Sequence, residues 1–135
     1  MLSEEGSSLE VKMSRVIGGS ILVVDDNLPL AENIAEILAL AGYRTVVAGS
    51  AEEALPHTLC EELGMVITDF RLPGLDGLEL VRRVRAAGAH VRCIVMSADP
   101  DDRVRARSEE MGARFMPKPL SPGALTSLVR VGNCC

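Results

Sequence analysis

Short apolar or β-prone runs at 21–24, 45–48, 65–68 and 93–96, and a brief fifth at 114–116, alternate along the chain with stretches of helical spacing. Continuous apolar runs of this length predict strands buried on both faces, as in a parallel sheet. Leu30, Ile34, Ile37, Leu38 and Ala41 repeat on one face of a first helix. Asn27 is placed to cap that helix, Pro29 suits its first turn, and Gly42 suits a left-handed stop. Ser50 and Glu53 form a capping box for a second helix, in which Pro56 predicts a kink or a late, irregular start. Asp76 and Glu79 open a third, with Leu80, Val81 and Val84 inward and Gly88 closing it. Asp99, Pro100, Asp101 and Asp102 open a fourth, placing acids at the positive end of its dipole. Its body, 103–110, carries few apolar residues, so shallow burial is expected before Gly112 stops it. Ser121 and Pro122 start a last helix with Leu125, Leu128 and Val129 inward. Five β-α units in strict alternation, without internal repeat, predict a doubly wound α/β domain: a parallel sheet, right-handed crossovers, helices on both faces.

The chain's 135 residues suffice for one core and are too few for two ordinary domains. We expect a polar, Gly/Ser-rich tail or linker over residues 1–19 and a single folded domain over 20–133. Aromatic residues are only 2% and the net charge is −5, which argues against a base-stacking platform and against direct phosphate-backbone binding. No run is long enough to span a membrane and the acidic start lacks an apolar signal core, so a cytoplasmic location is expected. The four cysteines contain no CxxC: Cys60 and Cys93 are far apart, Cys134 and Cys135 are adjacent at the end, and His57 and His90 are isolated. Free thiols, rather than a zinc site, are expected.

In a parallel sheet the carboxyl ends of all strands lie on one edge, where such folds place their chemistry. Strand one brings Asp25 and Asp26 there, strand three Asp69, strand four Ser97, and strand five Lys118. Carboxylates gathered this closely repel one another unless a cation intervenes, and an all-oxygen set suits Mg²⁺ or Mn²⁺ rather than Zn²⁺. The backbone carbonyl of Arg71, two residues past Asp69, offers a neutral ligand oxygen. A carboxylate beside such an ion and a lysine suits acceptance of a phosphoryl group as an acyl phosphate, with Ser97 donating to a phosphoryl oxygen.

VVDD at 23–26, DFRLPGLDG at 69–77, MSA at 96–98 and PKP at 117–119, each at a strand end and in this order, resemble a bacterial response-regulator receiver domain over about residues 20–131. The resemblance implies a flavodoxin-like (βα)5 sandwich with strand order 2-1-3-4-5. It implies that Asp69 is the phosphoacceptor and that Asp25 and Asp26 hold Mg²⁺, Asp26 more directly. Ser97 then matches the switch hydroxyl, Phe115 the switch aromatic, and Lys118 the family lysine, followed by a cis bond to Pro119. It further implies a phosphorelay: a sensor histidine kinase or histidine phosphotransfer protein as donor, a downstream protein as partner, and phosphorylation-dependent repacking of the face made by helix four, strand five and helix five, with a dimer as one outcome.

Helix four departs from the family, with Glu109 near an often aliphatic position and Arg103, Arg105 and Arg107 clustered. Phe115 lacks the hydroxyl a tyrosine would bring. Competing classes read less well. A haloacid-dehalogenase-like phosphatase carries an acid two residues past its nucleophile, where this chain has Arg71. A flavin carrier would need a phosphate-cradling loop after strand one and more aromatics. A pseudo-receiver that binds partners without phosphorylation is the alternative, although such domains usually lack an acid or the lysine. We therefore expect a switch that assists its own phosphorylation and dephosphorylation rather than a dedicated enzyme. No output domain is expected after residue 131, which leaves a stand-alone receiver or a fragment of a hybrid kinase or larger regulator.

Overall fold

A computed structural model describes residues 19–59, 63–87, 91–98 and 101–133. The expectations for residues 1–18, Cys60, Gly88, His90, Asp99, Pro100, Cys134 and Cys135 lie outside this set. The strands are β1 (Ser20–Val24), β2 (Thr45–Ala48), β3 (Leu63–Asp69), β4 (Arg92–Ser97) and β5 (Arg114–Pro117). The helices are α1 (Leu28–Leu40), α2 (Ala51–Thr58), α3 (Gly77–Ala86), α4 (Asp102–Glu110) and α5 (Pro122–Asn133). All strand pairs are parallel, in the order β2-β1-β3-β4-β5. This is the flavodoxin-like sandwich, with β3 in the middle and buried along its whole length.

Alternation along each strand builds two cores. Leu22, Val24, Val66 and Val95 point to one face and pack with Ala51 and Ala54 of α2 and Leu80, Val81 and Val84 of α3. Ile21, Val23, Met65, Ile67 and Ile94 point to the other and meet Ile34 and Leu38 of α1 and Leu125 and Val129 of α5. Each buried Val, Leu, Ile or Met among these contributes ~1.5–3 kcal/mol. α4 differs: only Val104 and Ser108 are buried, as its polar composition predicts.

Two details correct the pattern reading. α2 neither starts late nor irregularly, because Ser50 Oγ accepts from the Glu53 N–H at 3.0 Å and the helix runs from Ala51. Pro56 is tolerated because the helix ends two residues later, at Thr58, before a distortion can propagate. Ala41 is not on the inward face of α1 but is the exposed C-cap residue; Ala31 and Ala35 join Ile34 and Leu38 instead. α4 is capped by Asp101, whose carboxylate accepts from the Arg103 N–H at 2.9 Å. Gly42 and Gly112 take positive φ just after α1 and α4, as their placement predicts.

Candidate functional site

Each strand delivers its polar residue to the same edge. Asp25 immediately follows β1 and its N–H donates to Ala48 O at 3.1 Å, which locks it beside β2. Asp69 closes β3, and the next residue continues the ladder, Phe70 N–H donating to Met96 O at 2.8 Å. Ser97 closes β4, and its carbonyl accepts the Lys118 N–H at 2.8 Å. That backbone bond brings the lysine from β5 across to the middle of the sheet. The Lys118–Pro119 bond is cis, as the resemblance implies.

The side chains converge. One oxygen each from Asp25, Asp26 and Asp69 lies within 4.8 Å of the others. Lys118 Nζ donates to Asp25 Oδ2 at 2.8 Å and stands 3.4 Å from Asp69 Oδ2. Asp25 is buried, at 1% exposure, and its other oxygen accepts the Asn27 N–H at 3.0 Å. Asp26 is exposed, so the cluster opens to solvent on that side. Ser97 is buried at the end of the next strand. Arg71 is an exposed residue of the loop past β3.

The electrostatics follow from this packing. Burial, with the Asp25 and Asp26 charges, outweighs the Lys118 ammonium and raises the Asp69 carboxyl above its ordinary value. For Lys118 burial works the other way, but the hydrogen bond to Asp25 and the charges of Asp69 and Asp25 outweigh it, and its pKa is raised. Lys118 therefore stays an ammonium, one cation facing three acids. The residual negative charge and the all-oxygen donor set fit a hard divalent cation.

Phe115 lies one strand over, buried at 6% exposure. The Arg105 guanidinium of α4 sits 5.0 Å from its ring centroid, within cation–π range. Reading the sequence missed this contact, since nothing in the spacing of 105 and 115 links them. It also missed two neighbours of Asp69. Thr68 Oγ1 donates to the Asp69 carbonyl at 3.0 Å, and a Cβ on Gly77 would stand 2.3 Å from that same oxygen. A signal existed for Gly77: glycine is a poor helix former, yet here it opens α3 directly behind the Asp76 cap.

Among the described residues no helix is long and apolar enough to cross a membrane. The family model for the response regulator receiver domain matches residues 21–130. The transcriptional regulatory protein FixJ of Azorhizobium caulinodans is 33% identical over 109 residues, covering 80% of this chain and 52% of that protein. Sporulation initiation phosphotransferase F of Bacillus subtilis is 31% identical over 93 residues, covering 69% of this chain and 75% of that protein. A solved response regulator receiver protein from Pseudomonas putida superimposes with a TM-score of 0.77 at 35% identity, over 84% of this chain and 96% of that one. The chain spans about half the length, or less, of the first curated relatives it matches. The sheet order, the acid-and-lysine edge and these likenesses agree: the chain belongs to the receiver domains of two-component response regulators.

Proposed function

We propose that this receiver accepts a phosphoryl group on Asp69 and thereby switches its α4-β5-α5 face. The observation that carries this is the meeting of three carboxylates and one ammonium at the sheet edge, with Lys118 touching Asp25 and reaching Asp69. Asp25, Asp26, Asp69 and the Arg71 carbonyl are the oxygens that would hold Mg²⁺, for which Mn²⁺ substitutes. When bound, the ion screens the carboxylates from one another and from the incoming phosphoryl oxygens.

In the step proposed, a carboxylate oxygen of Asp69 forms a bond to phosphorus as the P–N bond of a phosphohistidine breaks. The imidazole leaves with the bond's electron pair and takes up a proton from solvent. The product is an acyl phosphate on Asp69. The Lys118 ammonium neutralises one phosphoryl oxygen, and the Ser97 hydroxyl donates to another. Water later hydrolyses the acyl phosphate and restores the carboxylate. The donor is a sensor histidine kinase or a histidine phosphotransfer protein, and such a donor puts the chain in the cytoplasm. Ser97, Phe115 and α4 form the switch, which biases binding of a downstream protein or of a second copy. The chain accelerates its own modification and is not a dedicated enzyme.

The test is intact mass after incubation with acetyl phosphate, with and without Mg²⁺, for this chain and for Asp69→Asn. We expect an adduct that needs Mg²⁺ and is lost in the variant. An adduct that persists in Asp69→Asn would refute the assignment. Failure of both acetyl phosphate and a panel of phosphorylated histidine kinases would leave a pseudo-receiver.

A further inference from the structure

We propose that a cleft at the opposite edge of the sheet, at the amino ends of β3, β4 and β5, binds a small organic dianion between Arg92 and Arg114. The cleft is a cavity of about 310 Å³ whose lining includes Arg85, Arg92 and Arg114, with Met65, Ile94 and Leu128 forming an apolar floor. A second cavity of about 130 Å³ lies beside it along α5, and Arg114 and Leu128 line both.

The three guanidiniums arrive from three elements. Arg92 opens β4 and shares a face with Ile94, two residues on; Arg114 opens β5 and pairs in register with Ile94. The two therefore flank the same apolar floor. Arg85 reaches in from α3 and is fixed in place: its Nε donates to Met111 O at 3.2 Å, Nη2 to Gly112 O at 3.0 Å, and Nη1 to Val91 O. A guanidinium carries five N–H donors; three of Arg85's go to carbonyls and two stay uncommitted.

Among the described residues no acidic side chain lines either cavity, and neither Arg92 nor Arg114 is in an ion pair. This is unusual in a chain where 19 acids outnumber 14 bases. Planar guanidiniums favour oxyanions that accept two parallel hydrogen bonds, and three positive charges favour two negative charges over one. The apolar floor selects an organic body beside the anionic group, and about 310 Å³ is room for a small molecule. Phosphate monoesters and dicarboxylates share this chemistry.

The experiment is an amide-shift NMR titration of the full chain carrying Asp69→Asn, so that the acidic edge cannot be modified. Phenyl phosphate and phthalate are the two probes, and benzoate and inorganic phosphate are the comparisons. We expect saturable shifts at Val91, Cys93 and Gly112. Benzoate, with one charge, and inorganic phosphate, without the apolar body, should each bind about tenfold more weakly. Both arginines are at least partly exposed. Arg92→Gln with Arg114→Gln should therefore leave the remaining spectrum in place while weakening binding about tenfold or more, as loss of a charge-assisted contact requires. Saturation by phenyl phosphate alone assigns a phosphate ester, and by phthalate alone a dicarboxylate. Shifts that do not saturate, that persist in the double variant, or that inorganic phosphate matches would overturn the proposal.

Discussion

Gly77→Ala tests how the site is held. The added Cβ would stand 2.3 Å from the Asp69 carbonyl oxygen and 3.1 Å from both Asp69 C and Phe70 Cα. The first contact is about 1 Å short of an ordinary one. All three atoms are backbone, so no side chain can rotate away. Gly77 also donates its N–H to Phe70 O at 2.9 Å, which ties the start of α3 to the end of β3. Its φ is not positive, so alanine meets no local backbone strain there. Overpacking of this kind costs ~1–3 kcal/mol, and helix propensity returns at most ~1 kcal/mol. We expect a net loss of about 1–2 kcal/mol, which for a domain of this size lowers Tm by ~4–8 °C. Relief requires moving the Asp69 backbone, hence its carboxylate relative to Lys118, so the acetyl phosphate adduct should fall even at temperatures where the variant is fully folded. Gly123→Ala is the control, because nothing lies within 4 Å of a Cβ there and alanine in α5 should be neutral or stabilising by ~0.4–1 kcal/mol. Thermal melts, urea midpoints with unchanged m, and intact mass on both variants decide it. A Gly77→Ala protein as stable and as readily phosphorylated as the parent would refute the close-approach argument.

Four further outcomes follow from the geometry. In metal-free buffer Asp69→Asn should raise stability at neutral pH: a carboxyl with a raised pKa is favourable below its unfolded value and loses that advantage as pH rises through the folded one, so the gain in urea midpoint should shrink toward acid. Lys118→Met leaves Asp25, 1% exposed, without its cation, and should destabilise by ~3 kcal/mol or more and raise the Asp69 carboxyl midpoint further, read by carboxyl ¹³C NMR. Glu79 is held down to about 2 by its hydrogen bonds to Arg82 and Arg83, so its contribution is complete above the ordinary 4.5 and is lost as pH falls toward 2; its NMR midpoint should climb back toward 4.5 at high salt. Arg85→Lys keeps the charge but not the fork that spans three carbonyls, and should cost ~2–3 kcal/mol by urea denaturation.

The parts of this molecule legible in its sequence are those governed by period and position. Apolar runs locate the strands because a parallel strand is buried on both faces, and the acids and lysine just past them fall on one edge by topology alone. Strand starts were less legible: β3 begins at Leu63 and β4 at Arg92, where Gly64 and an arginine blur the apolar run although the ladder already holds. Pro56 misled because a proline's effect depends on how far the helix must continue. Asp101 rather than the first acid of its run caps α4 because a cap is chosen by backbone angle, which a run of acids does not encode. Long-range side-chain contacts were not legible at all. Arg85 looks like any arginine on the polar face of α3, and only the fold brings the α4–β5 turn within its reach.

The shallow seat of α4 has a consequence for signalling cost. Val104 is its one buried aliphatic side chain, worth ~1.5–3 kcal/mol of anchoring. A single hydrogen bond between the Ser97 hydroxyl and a phosphoryl oxygen is worth ~1.5–3 kcal/mol. The two quantities are matched. On the proposed phosphorylation of Asp69, one new bond at the sheet edge would be enough to tip the balance between docked and shifted positions of this helix by ~10–100-fold, whereas α1 or α3, each held by several buried aliphatics, would hardly respond. Under the proposed function, the helix with the poorest core is the one a phosphoryl group on Asp69 would move.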